Sequence, residues 1–236
     1  MAQAQSYELV YFPARGRGEA LRWIFDVAGV AFKDTLVPME AWPQLKPTTP
    51  FGGIPVLKVT TEGQCRVMGQ TLAIARFLAN RLNGANEWER QRIEALVEAA
   101  AELWYVKGYD KIIIATAVLK DLDKRAAAID AFLEQGFNAF AQQFEGFLKD
   151  SGTGYFVGDR ISWADLYICE WLDRLETMKG GASTLSRFSL AYYDLMEQRG
   201  GKLKGSAGIP HRRLMKLPAL AGRKQRREAI GIPHAL

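Results

Sequence analysis

The sequence predicts an α/β domain followed by an all-helical domain, and three observations lead to this fold class. Residues 7–11 and 31–38 have the pattern of strands, and an amphipathic helix at 15–29 lies between them. A strand, a helix and a strand within about 30 residues form a βαβ unit, whose strands pair in parallel. Two more strands and a helix follow. Beyond Asn83 the strand-like segments give way to helical patterns, so we expect the domain boundary there.

The second half of the first domain is predicted as a hairpin and a helix. Residues 54–59 and 64–68 are strand-like, and the turn sequence "TTEG" separates them. Residues 70–82 then repeat their apolar side chains at helical spacing. The order βαβ-ββα predicts a mixed four-stranded sheet with helices packed against it, which is the thioredoxin-like arrangement. We expect this domain to span residues 1–83.

The second domain, residues 84–236, is predicted to be all-helical. Residues 87–114 and 123–149 read as two long helices. Ser162 and Asp165 form an S-x-x-D capping box, which predicts a helix start at Ser162. A further helix is expected between the Gly-rich loops of the atypical basic segment at about 179–236.

Composition excludes several classes of function. The net charge is +5, and residues 201–236 carry nine Lys and Arg residues against one Glu. No aromatic side chains interleave those charges, so we interpret them as a solvated face and expect no nucleic-acid partner. The longest apolar run, 112–119, is too short to cross a bilayer. We therefore expect no membrane association and, with no leader sequence and two distant cysteines, a cytoplasmic location. With only His211 and His234 available, a histidine-based catalytic or metal site is not expected.

The residues that can carry chemistry lie in the first domain. Tyr11 ends the first strand, and Arg17 follows within the motif Gly16-x-Gly18. A lone GxG between a strand and a helix is a weak phosphate-loop signal. Ile54 precedes Pro55, which is either an ordinary edge-strand proline or a cis-proline that exposes the Ile54 backbone to an extended peptide.

Two other positions could receive carboxylates. Gln70 and Thr71 stand where a helix begins, so they either bind a carboxylate or merely cap the helix. Trp42 and Lys46 could offer an indole N–H and an ammonium group to a second carboxylate, although either alone is more typical of an ordinary surface residue.

Taken together, four segments resemble the sigma-type cytosolic glutathione transferases, the group that includes haematopoietic prostaglandin D synthase and invertebrate sigma-class enzymes. The segments are "YELVYFPARGRGEALRWIF", "EAWPQLKPTTPFGGIPVLKV", "MGQTLAIARFLA" and "VGDRISWADLYICEWL", and they occur in family order over residues 6–178.

The resemblance implies a role for each matching residue. Tyr11 is implied as the catalytic tyrosine and Arg17 as its supporting arginine. The implied glutathione-binding residues are Tyr11, Trp42, Lys46, Gly53, Ile54, the cis-proline Pro55, Gln70, Thr71 and Glu102, the last acting from the partner subunit of a homodimer. Phe12, Ala14, Trp104 and Tyr109 are implied to line a pocket for a hydrophobic electrophile. Glutathione is the implied co-substrate, and no metal is implied.

Two departures weaken the match, and one of them is the decay of the similarity beyond about residue 178, where a Gly-rich and basic stretch follows. The other is Gly53. The family usually carries Gln or Lys where this chain has Gly53, so one contact to the tripeptide is expected to be missing.

Three functional interpretations stay open. The first is a glutathione transferase that activates the thiol for attack on small electrophiles, with hydroperoxide reduction as a related reaction. The second is a prostaglandin-type isomerase that uses the same site. The third is a non-catalytic ligand-binding or crystallin-type protein. A thioredoxin or glutaredoxin is disfavoured because no cysteine occurs at residues 11–14.

Overall fold

The computed structural model describes residues 5–80, 82–104, 106–113, 115 and 119–178. The described residues divide after Asn83 into two compact units. The basic segment at 179–236, its expected helix, His211 and His234 all lie outside the described residues.

The first unit contains the predicted mixed sheet. Its strands are β1 (Gln5–Tyr11), β2 (Lys33–Leu36), β3 (Val56–Thr61) and β4 (Gln64–Gly69), in the spatial order β2-β1-β3-β4. β1 pairs in parallel with β2 and antiparallel with β3, and β3 pairs antiparallel with β4. The predicted fold class is confirmed for this part of the chain. The helices of the unit are α1 (Glu19–Ala28), α2 (Trp42–Leu45) and α3 (Thr71–Leu78).

The two faces of the sheet follow from strand alternation. Leu9 lies opposite Leu57, and both side chains are fully buried. On the same face Tyr7 meets Phe25 of α1 edge to face, with ring centroids 5.7 Å apart. Burying these side chains fixes the register, because a shift by one residue would turn every one of them to the opposite face.

The second unit is entirely helical within the described residues. The prediction of one long helix over residues 87–114 is wrong in its length. In the structure the α-helix ends at Ala101 and is followed by a 3₁₀ turn over Glu102–Trp104. The next α-helix begins only after Gly108, whose φ is +86°. A left-handed residue cannot continue an α-helix, so the chain bends there. The helices of this unit are α4 (Glu87–Ala101), α5 (Tyr109–Ile113), α6 (Leu122–Phe132), α7 (Asn138–Ser151) and α8 (Trp163–Met178).

The second predicted long helix holds with one irregularity. α6 and α7 are joined without a break by a π-helical stretch at Leu133–Phe137. Within that stretch, Gly136 lies so close to Lys107 that an added Cβ would stand 2.8 Å from the lysine's carbonyl oxygen. A glycine is therefore required where this helix meets the bend that follows α4.

The start of α8 follows the predicted capping box. The Asp165 carboxylate accepts hydrogen bonds from the Ser162 N–H at 2.8 Å and from its hydroxyl at 2.6 Å. It also accepts the N–H of Phe156 at 2.9 Å, so it ties the preceding loop to the helix. In the part of the chain with described coordinates, no helix is both long enough and apolar enough to cross a membrane.

Candidate functional site

Three strand ends meet at one edge of the sheet. Val10 of β1 lies opposite Val56 of β3, and Val56 lies opposite Gly69 of β4. Tyr11 therefore emerges beside Pro55, and Gln70 emerges on the other side of it. The register alone gathers the catalytic, backbone-binding and helix-start candidates at this edge.

Tyr11 lies in a close-fitting loop. Its side chain is 7% exposed, and its phenol oxygen accepts the backbone N–H of Arg17 at 2.8 Å. A Cβ added to Gly18 would stand 2.6 Å from Cδ1 of the ring, and one added to Gly16 would collide with the hydroxyl. The resemblance implied that Arg17 supports the tyrosine. In the structure its backbone N–H contacts the Tyr11 phenol oxygen.

Arg22 holds the tyrosine loop (residues 12–18) in place through hydrogen bonds. This guanidinium is buried, and it donates to the Ala14 carbonyl at 3.1 Å, to Glu19 Oε2 at 3.0 Å and to Asp34 Oδ2 at 2.9 Å. One side chain therefore joins the loop, α1 and β2. Sequence reasoning missed Arg22, Gly16 and Gly18 as supports of the site, and the only signal was the GxG motif that had suggested a phosphate loop.

Phe12 joins the tyrosine to the segment that follows β2. Its ring centroid lies 5.6 Å from that of Tyr11 and 5.5 Å from that of Trp42. Leu45 and Ile54 pack with it on a small buried cluster of valines beneath. Trp42 and Ile54 are thereby held near Tyr11 at the same edge of the sheet, and half-buried Phe12 packs between Tyr11 and Trp42.

Lys46 and Gly53 border the same edge. The Lys46 side chain is exposed, and its Cε passes 3.8 Å from where a Cβ of Gly52 would stand. Gly53 is half-buried and extended, with φ −148°. A Cβ added to Gly53 would approach only the carbonyl oxygen of Phe51, at 3.9 Å.

The Ile54–Pro55 peptide bond is cis, and Pro55 is buried. Ile54 is half-buried and stands just before β3. Among the residues that the structure describes, neither its N–H nor its C=O has a hydrogen-bond partner. A donor and an acceptor on one residue at a strand end can pair with an extended peptide.

Gln70 adopts a backbone conformation that few residues with a Cβ adopt. Its φ is +74° and its ψ is 114°, and its side chain is exposed. Sparsely populated conformations of this kind cluster at active sites and ligand-binding segments. It directs the chain into α3, whose start has no side-chain cap. The N–H groups of Thr71 and the next two residues lack partners within the helix and carry its positive dipole end.

Two further predicted site residues, Ala14 and Glu102, are exposed to solvent. Ala14 is exposed in the tyrosine loop, as an acceptor-pocket wall would require. Glu102 is exposed just after α4, and its carbonyl accepts the N–H of Val106 at 2.9 Å. In the described part of the chain no cluster of three metal-ligating side chains occurs.

Trp104 and Tyr109 require a correction. They are 7% and 4% exposed, and they pack edge to face with centroids 5.1 Å apart. Both rings surround the buried Arg174, whose guanidinium donates to the Tyr109 hydroxyl at 3.3 Å and forms an ion pair with Glu170 at 2.6 Å. They belong to the core of the second unit in this structure, because side chains so deeply buried offer almost no surface to a substrate.

Comparison with known proteins decides the family. The protein-family sequence model described as "Glutathione S-transferase, C-terminal domain" matches residues 111–200. The probable glutathione S-transferase 7 of Caenorhabditis elegans is 40% identical over 167 residues, which are 70% of this chain and 77% of that protein. The chain belongs to the glutathione S-transferase family.

Solved structures extend this similarity beyond the aligned sequence. The sigma class glutathione S-transferase of Fasciola hepatica matches with a TM-score of 0.65 and 27% identity, covering 83% of this chain and 97% of that one. Prostaglandin synthase D of Nilaparvata lugens matches with a TM-score of 0.69 and 26% identity, covering 84% and 95%. The predicted resemblance to sigma-type glutathione transferases is confirmed at the level of family and fold.

We predict that Arg22→Met lowers the free energy of unfolding by about 3–5 kcal/mol, because it removes a buried positive charge from the buried carboxylate of Glu19. Lys33→Met is the matched control. Lys33 is 73% exposed and 3.7 Å from Glu8, so its loss should cost no more than about 1 kcal/mol. Urea unfolding measures both, and equal losses would contradict the role given to Arg22.

Proposed function

We propose that this chain is a glutathione transferase whose first unit, residues 5–83, binds glutathione along the edge of the sheet. The observation that carries the proposal is the convergence of Tyr11, the free backbone pair of Ile54 and the α3 start on that edge. Glutathione is an extended tripeptide with a central thiol, and these three features complement its thiol, its cysteinyl backbone and its γ-glutamyl carboxylate respectively.

Each part of the tripeptide has a proposed partner. The cysteinyl N–H and C=O pair with the Ile54 backbone. The γ-glutamyl carboxylate takes the side chains of Gln70 and Thr71 together with the first N–H groups of α3. The glycyl carboxylate takes the Trp42 indole N–H and the Lys46 ammonium.

The thiol is then in place for activation by Tyr11. A free thiol has a pKa of about 8.5, so only about 3% is thiolate at pH 7. A phenol O–H that donates to the sulfur stabilises the thiolate, and lowering the thiol pKa by about two units requires roughly 2.7 kcal/mol. A hydrogen bond to a charged group contributes about 1.5–3 kcal/mol, which is sufficient. The thiolate forms the new C–S bond, the leaving group departs with its electron pair, and the thiol proton passes to solvent.

The acceptor is proposed to be a small hydrophobic electrophile that approaches over Phe12 and Ala14 of the tyrosine loop. A second activity, prostaglandin isomerisation by the same thiolate, is supported by the similarity to prostaglandin synthase D of Nilaparvata lugens. Assays with electrophiles, hydroperoxides and a prostaglandin endoperoxide separate these activities. Retention on immobilised glutathione with no turnover of any of them would indicate the non-catalytic alternative.

We predict that Tyr11→Phe lowers kcat for a chlorinated dinitrobenzene about 20-fold at pH 7, because the thiolate fraction falls from about three quarters to about 3%. The KM for glutathione should stay within about twofold, since Tyr11 contacts the sulfur alone. Tyr7→Phe, on the same strand and the same face, is the control and should keep the wild-type rate. Steady-state kinetics measures both, and a full rate in Tyr11→Phe would refute the mechanism.

We also propose that the protein forms a homodimer in which Glu102 of one subunit reaches the γ-glutamyl ammonium bound by the other. Two exposed apolar features support the association. Phe51 is 81% exposed beside edge strand β4, and Trp88 is 74% exposed beside a cavity of about 390 Å³ that Phe147 also lines. A second subunit that covers these aromatic side chains removes their apolar surface from water, which favours association.

We predict that Phe51→Asp shifts the protein towards monomer and weakens dimerisation about 30-fold, the effect of losing roughly 2 kcal/mol at an apolar anchor. Asp tolerates the φ of +58° at this position, so the substitution adds no backbone strain. Met39→Asp, at another exposed apolar residue of the same unit, should stay dimeric. Sedimentation velocity measures both, and an unchanged Phe51→Asp dimer or a monomeric wild type would contradict the proposal.

A further inference from the structure

The Gly16-Arg17-Gly18 turn encloses the one side chain on which the proposed chemistry depends. The GxG motif was a weak signal for a phosphate-binding loop. In the structure the phenol ring of Tyr11 occupies the space inside this turn. A Cβ on Gly16 would overlap the Tyr11 hydroxyl and stand 2.9 Å from Cε1. A Cβ on Gly18 would stand 2.6 Å from Cδ1 and 2.8 Å from Cγ. The two glycines therefore meet opposite ends of one ring.

The residue between them supplies the polar contact. The Arg17 backbone N–H donates to the phenol oxygen at 2.8 Å. The φ of Gly16 is +41°, in the left-handed region, whereas Gly18 has an ordinary φ of −87°. The unusual conformation thus precedes the residue whose N–H points at the phenol, and Gly18 is required for space alone.

We propose that this turn is a positioning device for Tyr11, which sets both the place of its hydroxyl and its strength as a hydrogen-bond donor. An N–H that donates to the phenol oxygen draws electron density from it, so the O–H becomes a better donor to a thiolate. The phenol keeps its proton throughout, and the thiol proton goes to solvent. The inference rests on the proposed function and assigns to Arg17 a role through its main chain.

The test compares Gly16→Ala with Gly63→Ala, using the full-length protein, glutathione and a chlorinated dinitrobenzene. Gly63 also has a positive φ, +77°, but a Cβ there would meet nothing within 4 Å. The two variants therefore share the backbone penalty of alanine at positive φ and differ in the contact with Tyr11. The melting temperature should fall in both variants, and further in Gly16→Ala, because its Cβ also crowds the Tyr11 ring.

The pH–rate profile separates the two roles. In Gly16→Ala the apparent pKa of the kcat profile should rise towards that of free thiol, with kcat at pH 7 reduced about tenfold and KM for glutathione within twofold. Gly63→Ala should keep the wild-type profile. Identical profiles for the two variants would overturn the inference. Should Gly16→Ala fail to fold, Gly18→Ala replaces it with the same expectation, because it crowds the ring at an ordinary φ.

A double variant tests whether the turn acts through the phenol oxygen. In the Tyr11→Phe background, Gly16→Ala should cause less than a further twofold loss of kcat. An equal further tenfold loss would overturn the inference, since the turn would then act independently of the hydroxyl. If Tyr11→Phe alone retains the full rate, the proposed function itself fails. If Tyr11→Phe is slow and Gly16→Ala is not, only the positioning role fails.

Discussion

The pairing register of three strands is the constraint on which the rest of the site depends. Val10, Val56 and Gly69 lie side by side across the sheet. The residues just beyond them, Tyr11, Pro55 and Gln70, consequently share one edge although the chain separates the first and last by 59 positions. A slip of one residue would bury Glu8 in place of Leu9, so the apolar core and the functional edge are specified by the same side-chain alternation.

Above that edge, the site is built from contacts that restrict the backbone. The tyrosine loop is fixed by Arg22 from within the unit and by the fit of Gly16 and Gly18 against the phenol ring. Gln70 carries its own positive φ where the helix begins. Restricting the free protein in this way reduces the ordering that substrate binding must supply, which favours preorganised stabilisation of a developing charge.

The sequence predicts those parts of the fold that follow from local pattern. Strand alternation, the "TTEG" hairpin and the capping box at Ser162 each depend on neighbouring residues, and the structure has all three. The length of α4 could not be predicted in the same way, because the chain after Ala101 is helical in composition and only Gly108 marks the bend. The burial of Tyr109 depends on Arg174, which is 65 residues away.

The site residues likewise divide into those that sequence motifs identify and those whose role depends on contacts made in the fold. Motif order within the family identified Tyr11, Ile54, Gln70 and their neighbours, and the register brings those three to one edge. It could not reveal that Arg17 reaches Tyr11 through its peptide N–H, since a backbone contact leaves no mark on residue identity. The GxG motif is visible in the sequence, but its role could not be predicted, because that role depends on the Tyr11 ring that occupies the turn in the fold.

The most direct measurement of the central claim is the titration of the glutathione thiol in the binary complex, followed by thiolate absorbance in the ultraviolet between pH 5 and pH 9. The account predicts a thiol pKa of about 6.5, some two units below that of a free thiol. A bound thiol that still titrates near 8.5 would contradict it, because the sulfur would then receive no stabilisation from this edge of the sheet.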